Sequence, residues 1–220
     1  MKNINKNLVF CICSKNPSNI LINNIRNIKA LYTDSEINVI DSDSNNFEIY
    51  NIIREKFSDV KLHFIKNKNY EIGAWRYALN NINAEKYILI QDTLIFTKQI
   101  NFDFDKFDVY TFKHKMSGGF FNIESPNWEH ELKIMTEDTI FEEICQELKY
   151  RTIDIATHSS FAITKNNLKL FFSEFDKNST KKCHSEITER LFYIMFKHYN
   201  FKISHLIEDN HWYKIHSGRK

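Results

Sequence analysis

The chain has 220 residues, 42% of them hydrophobic and 15% aromatic, which is enough to bury one sizeable core in a single domain. Its 30 basic and 28 acidic side chains are mixed along the length and leave a net charge of +2, which argues against a dedicated nucleic-acid binder and suits one small anionic ligand. Only four glycines and two prolines are present, so there is little material for flexible linkers, and no repeat or low-complexity tract interrupts a general excess of Asn, Lys and Ile.

Leu8 to Cys13 is an apolar run of strand length behind Lys2 and Lys6. It is too short for a secretory signal, and no other run approaches the ~20 residues of a membrane helix, so no membrane span is expected. Cys11 and Cys13 share one face of this strand, and with Cys145 and Cys183 they show no zinc-site spacing. They read as reduced, buried thiols, which points to a cytosolic setting. Pro17 and Ser18 open a helix with Leu21, Ile25 and Ile28 on one side, and Ile37 to Ile40 forms a second strand that runs into Asp41-Ser42-Asp43-Ser44. A second helix presents Tyr50, Ile53 and Phe57, and Val60 to Ile65 is the third strand, followed by the polar turn Lys66 to Asn69. The third helix buries Ile72, Trp75, Leu79 and Ile82 and leaves Arg76 off that line, and Tyr87 to Ile90 is the fourth strand.

Strands alternating with helices in this way build a parallel sheet, and in such sheets ligands gather beyond the carboxyl ends of the strands. Those ends carry Ser14 to Asn16, Asp41 and Asp43, Lys66 to Asn69, and Asp92. A carboxylate at the end of a buried strand, downstream of the Gly73 turn and a basic helix, offers a cation ligand beside a place for a diphosphate. The Arg76 guanidinium has the fork geometry for that diphosphate, whereas Lys68 reads as one of many surface lysines. Turn chemistry offers a plain alternative for several of these residues. Asp92 could simply cap its turn, and Asp-Ser-Asp-Ser forms an Asx-turn by itself.

Beyond Asp92 the pattern is less regular. Val109 to Phe112 is strand-like, Gly118-Gly119 marks a loop, and Ile140, Phe141, Ile144 and Leu148 define an amphipathic helix. Ile153 to Ile163 reads as one strand returning to the sheet, with His158 and Ser159 within it, where His158 is either a ligand residue or a hydrogen-bonded core histidine. Ser185 reads as the N-cap of a late helix with Ile187, Leu191, Ile194 and Met195 on its apolar face, which puts Glu186 and Glu189 in its first turn. Acidic residues there are favoured by the helix dipole even without catalysis. The tail from His211 to Lys220 is aromatic and basic, and the chain has neither a Walker loop nor a Gly-x-Gly-x-x-Gly motif.

Four segments in order, Asn69-Tyr70-Glu71-Ile72-Gly73-Ala74-Trp75-Arg76, Tyr87 to Phe96, His158-Ser159-Ser160-Phe161 and Glu186 to Leu191, resemble the rhamnan-synthesis type of glycosyltransferase and related short viral and bacterial transferases. The resemblance runs from about residue 8 to residue 207. It implies an α/β chain with a GT-A-like Rossmann-type αβα sandwich, a mostly parallel central sheet and a C-terminal acceptor-side half. That makes residues 1–220 one domain, with 1–97 the nucleotide-sugar half and 98–220 the acceptor half.

The implied activity is transfer of a sugar, hexosyl or deoxyhexosyl, from a nucleoside diphosphate sugar, UDP favoured, to a hydroxyl of a glycan, assisted by Mn²⁺ or Mg²⁺. The implied setting is the cytoplasm of a bacterium or of a virus-infected cell, in polysaccharide synthesis. By the same resemblance Ser14, Asn16, Asp41, Asp43, Asn69, Glu71, Gly73, Arg76, Gln91, Asp92 and Lys220 contact the donor. Asp92 and His216 hold the metal, His158 and Ser159 meet the acceptor, and Glu186, ahead of Glu189, is the base. Two departures stand out: Gln91 and Thr93 flank Asp92, so the Asp-x-Asp motif supplies one carboxylate, and Glu71 replaces the family's Asp. A domain that binds nucleotide sugar without turnover, or a nucleotidyltransferase, are the alternatives.

Overall fold

The computed structural model describes residues 8–113, 119–120, 127–148, 152–153, 155 and 159–215. The first half alternates β1 (Leu8–Ser14), α1 (Asn19–Leu31), β2 (Glu36–Asp41), α2 (Glu48–Lys56), β3 (Lys61–Phe64), α3 (Tyr70–Asn81) and β4 (Lys86–Gln91). The hydroxyl of Ser18 caps α1 by accepting the N–H of Ile20. Then come β5 (Leu94–Phe96), β6 (Val109–Lys113), β7 (Gly119–Phe120), α4 (Trp128–Thr136), α5 (Phe141–Leu148), β8 (Thr152–Ile153), β9 (Phe161–Thr164), α6 (Lys165–Glu174), α7 (Lys182–His198), β10 (Ile203–Ile207) and β11 (Trp212–Lys214).

Seven strands form the central sheet in the order β10-β6-β9-β4-β1-β2-β3, in which β9 alone runs against the others. Strand periodicity divides the core into two layers. Val9, Cys11, Cys13, Tyr87 and Leu89 face the side covered by α3 to α7, while Leu8, Phe10, Ile12, Ile88 and Ile90 face α1, α2 and the aromatic group of Tyr32, Phe96, Phe102 and Phe112. Trp75 is fully buried, and its indole N–H donates to the Ser159 carbonyl at 2.9 Å. Among the described residues no helix is long and apolar enough to cross a membrane, and all four cysteines are free thiols.

Two elements differ from the sequence expectation. The single strand expected over Ile153 to Ile163 is two: β8 pairs with β7 in a separate small sheet, and β9 joins the main one. Between them Ser159 takes a left-handed backbone with φ 51°, which no continuous strand accommodates. The late helix begins at Lys182 with Lys181 as its N-cap, so Ser185 lies inside it, and Glu186 and Glu189 fall beyond the first turn.

Candidate functional site

The chain order reverses between β1 and β4, and this switch point opens a cavity of about 640 Å³ beyond the strand ends. Its wall takes Cys13, Ser14 and Lys15 from β1, Ser42 and Asp43 from β2, and Asn67, Lys68, Tyr70 and Glu71 from the β3–α3 turn. Gln91, Asp92 and Thr93 follow from β4, Thr180 from the segment before α7, and Lys214 and Ile215 from the end of β11.

Asp92 sits at the switch point itself. Its carboxylate accepts the Ser14 hydroxyl at 2.6 Å, and its N–H donates to the Cys13 carbonyl at 3.0 Å, so β1 and β4 jointly fix its direction. Beside it Gln91 is held from both ends, donating to Glu71 Oε1 and accepting the Lys214 ammonium at 2.8 Å. Glu71 Oε2 in turn accepts the Ser185 hydroxyl at 2.9 Å, which ties α3 to α7 across the cavity. Each carboxylate oxygen of Glu71 thus accepts one donor, Gln91 from β4 and Ser185 from α7.

Lys214 is one of the cavity residues the sequence reading passed over, along with Tyr70 and Thr180. β11 pairs antiparallel with β5, just after Asp92, and Ile215 N–H donates to the Thr93 carbonyl at 3.0 Å. Trp212 anchors this strap, buried edge-on against Phe112 with its N–H on the Leu206 carbonyl. Burial pulls the Lys214 ammonium down to about 8 against the opposing pull of Glu189, Glu71, Asp92 and Glu208. Glu189 keeps part of its surface in solvent, yet burial of its carboxyl, with Glu71 next in effect, pushes it up to about 8 despite Arg190 and Lys214. Strand alternation of Trp212 and Lys214 was the available signal, but its partner strand lies far away in sequence.

The β3–α3 turn is built round Asn67. Its Oδ1 accepts the Asn69 N–H at 2.8 Å, while its amide nitrogen donates to the Tyr70 carbonyl at 2.7 Å and the Ser42 hydroxyl at 3.1 Å. Lys66 and Tyr70 both carry positive φ, at 49° and 51°. Gly73 lies within α3 and leaves room for this amide, since a Cβ there would come within 2.0 Å of Asn67 Oδ1.

Several expected donor contacts lie elsewhere. Arg76 does not line the cavity: its guanidinium donates to Asn178 Oδ1 at 2.9 Å, Lys177 O at 3.0 Å and Phe175 O at 3.4 Å, and it stacks over Phe172. It clamps the segment that leads to Thr180, while Lys68, read as surface charge, is in the wall. Asp41 turns inward, accepting the Tyr50 hydroxyl at 2.6 Å and the Ser44 N–H at 3.1 Å, so Asp43 is the β2 carboxylate that meets the cavity. Asn16 braces the neighbouring turn through Ser44 and Asn45, and Asn69 reaches Asn178. Ser159 is buried behind Trp75, and Glu186 pairs with Lys182 at 3.7 Å on the flank of α7. His158, His216 and Lys220 lie outside the described residues.

Among the described residues the one group of three potential metal ligands is Glu131, Cys183 and His184, none of which lines the cavity, although His184 touches Thr180 in its wall. There Glu131 is held below the usual carboxylate range by Lys181 and His184, each at 2.6 Å. The His184 Nδ1 accepts the Thr180 N–H at 3.3 Å, so its Nε2 carries the proton given to Glu131.

No protein-family model matches the chain, and no curated protein matches its sequence. Its fold is nevertheless shared. The structure of S. aureus TarS superposes with a TM-score of 0.56 at 15% identity, covering 94% of this chain and 36% of that one. TarS 1–349 gives 0.56, and TarS 1–349 in complex with UDP gives 0.55, each at 15% identity over 94% of this chain and 60% and 59% of theirs. The chain therefore spans less than two thirds of the structures it resembles. The architecture is a GT-A-like Rossmann-type α/β sandwich with a mostly parallel central sheet.

Proposed function

We propose that this chain transfers a sugar from a nucleoside diphosphate sugar, most plainly a UDP-sugar, to a hydroxyl of a glycan. The observation that carries the reading is the switch-point cavity, where Asp92, Asp43 and three lysines meet in a fold shared with a protein whose structure was solved with UDP. Lys15, Lys68 and Lys214 supply countercharge for a diphosphate, and Asp43 can accept hydrogen bonds from ribose or base.

A divalent cation fits this donor set in one way. No three described ligand atoms cluster at Asp92, so the cation would be held by Asp92 with diphosphate oxygens and water, as Mg²⁺ commonly is, rather than by a protein cage. When bound it would offset charge on the departing diphosphate. In the transfer itself, the acceptor oxygen bonds to the anomeric carbon as the bond to the diphosphate oxygen breaks, and a carboxylate takes the acceptor's proton. Glu189 suits that role better than Glu186, because it lies within electrostatic reach of Glu71 and Lys214 in the cavity wall, whereas Glu186 faces Lys182.

The test is calorimetry with UDP in the presence of Mn²⁺, followed by release of sugar from a panel of UDP-, GDP- and dTDP-sugars. Binding with turnover supports the transferase. Binding without turnover on any donor, with or without glycan, assigns the chain to a nucleotide-sugar-binding module, and no binding at all removes the reading.

A further inference from the structure

Five large apolar side chains are exposed among the described residues: Phe47, Phe64, Tyr70, Ile134 and Tyr213. Only Tyr70 of these lines the cavity, with 38% of its surface open. A bulky residue at φ 51° is a backbone outlier, and such strain persists only where the surroundings over-determine it. Here they do: Asn67 grips the Tyr70 carbonyl at 2.7 Å, and the missing side chain at Gly73 lets that amide pack in place. The core gains nothing from the arrangement, because the ring stands out of it. No described ring stacks on Tyr70, and its hydroxyl has no described hydrogen-bond partner.

Position along the sheet edge says what the ring could meet. The β3–α3 turn folds back across the strand ends, since Glu71, next to Tyr70, reaches Gln91 at the end of β4, so the ring stands at the rim of the cavity rather than at the far edge of the sheet. With phosphates at Asp92 and Lys214, the nucleoside end falls toward β2 and β3. The same Asn67 amide that holds Tyr70 also reaches Ser42 at 3.1 Å, which places Tyr70 beside the Ser42-Asp43 end of β2.

We propose that Tyr70 is a stacking platform for the nucleobase, held ready by the strained Asn67–Gly73 turn. This rests on the nucleotide-sugar reading of the cavity and adds to it the group that binds the base. Base-on-aromatic stacking is sequence-tolerant, so the ring supplies affinity, and selection among bases falls to polar groups such as Asp43.

The variants are Tyr70→Phe, which keeps the ring, and Tyr70→Asn, which removes it while tolerating the left-handed backbone. Affinities for UMP, UDP and inorganic pyrophosphate are measured by calorimetry, with thermal melts to verify folding. We expect Tyr70→Asn to weaken UMP and UDP alike, on the order of tenfold, with pyrophosphate unchanged and Tyr70→Phe close to the parent. UMP binding by Tyr70→Asn within twofold of the parent would overturn the proposal while leaving the nucleotide site standing, and so would an equal loss of pyrophosphate affinity. If the parent chain binds neither UMP nor UDP, the site reading and this inference fall together.

Discussion

A methyl group added at Gly73 would sit 2.0 Å from Asn67 Oδ1 and 2.7 Å from its Cγ. Helix propensity alone favours alanine there by roughly 1 kcal/mol, but overpacking a fixed neighbour costs about 1–3 kcal/mol, and Asn67 is fixed by three hydrogen bonds. Sterics win, so Gly73→Ala should lower stability by about 1 kcal/mol, read as a lower urea midpoint at unchanged slope. Glu189 makes a second prediction, about pH. Its carboxyl moves from an ordinary 4.5 up to about 8 in the folded chain, so it favours the fold fully below 4.5, and that contribution is lost as pH rises to about 8. Glu189→Gln cannot ionise and escapes the loss. Its melting temperature should therefore lie close to the parent's near pH 5 and exceed it by roughly 10 °C at pH 8; a constant offset would mean that the carboxyl is ionised throughout.

At the scale of elements, the segment between α6 and α7 is held by Arg76 through three acceptors, by Ser179 with Thr188 at 3.0 Å, and by Thr180 with His184. Arg76 thus acts on the cavity by placing Thr180. Arg76→Lys keeps the charge and loses the fork, so it should cost about 1–2 kcal/mol of stability yet weaken UDP by less than about threefold. A large loss of UDP affinity at unchanged stability would instead mean direct phosphate contact. This is also where local pattern stops informing. β1, β2, β4 and α1 to α3 were legible because each buries an apolar run or a period-3.6 face, β3 because Val60, Leu62 and Phe64 alternate with polar residues, and Ser14, Asp43 and Asp92 followed as strand ends. The part played by Lys214 was not, because Gln91 and Lys214 are 123 residues apart and their meeting depends on β5 pairing with β11. Arg76 was misplaced because a guanidinium fits carbonyls as well as phosphates, and only the folded loop decides between them. β10 is only partly buried along its length, too weak a pattern to stand out.

For the whole molecule, the two core layers meet across one sheet, and the cavity draws its wall from β1, β2, the β3–α3 turn, β4, the approach to α7 and β11. A ligand that touches all of them binds only the folded chain, so its binding energy adds to global stability. At a hundred times its dissociation constant, a ligand adds about 2.7 kcal/mol. For a chain of this length each kcal/mol raises the melting temperature by roughly 2–4 °C, so saturating UDP with Mn²⁺ should raise it by roughly 5–10 °C. How that rise divides between metal and lysines is the informative part. If Asp92 carries a cation with the diphosphate, Asp92→Ala and EDTA should each cut the shift to the same smaller value, and combining them should cut it no further. If both leave the full shift, Lys15, Lys68 and Lys214 alone balance the phosphates. In that case Lys214→Met, which keeps much of the buried stem and removes the ammonium, should be the substitution that abolishes the shift.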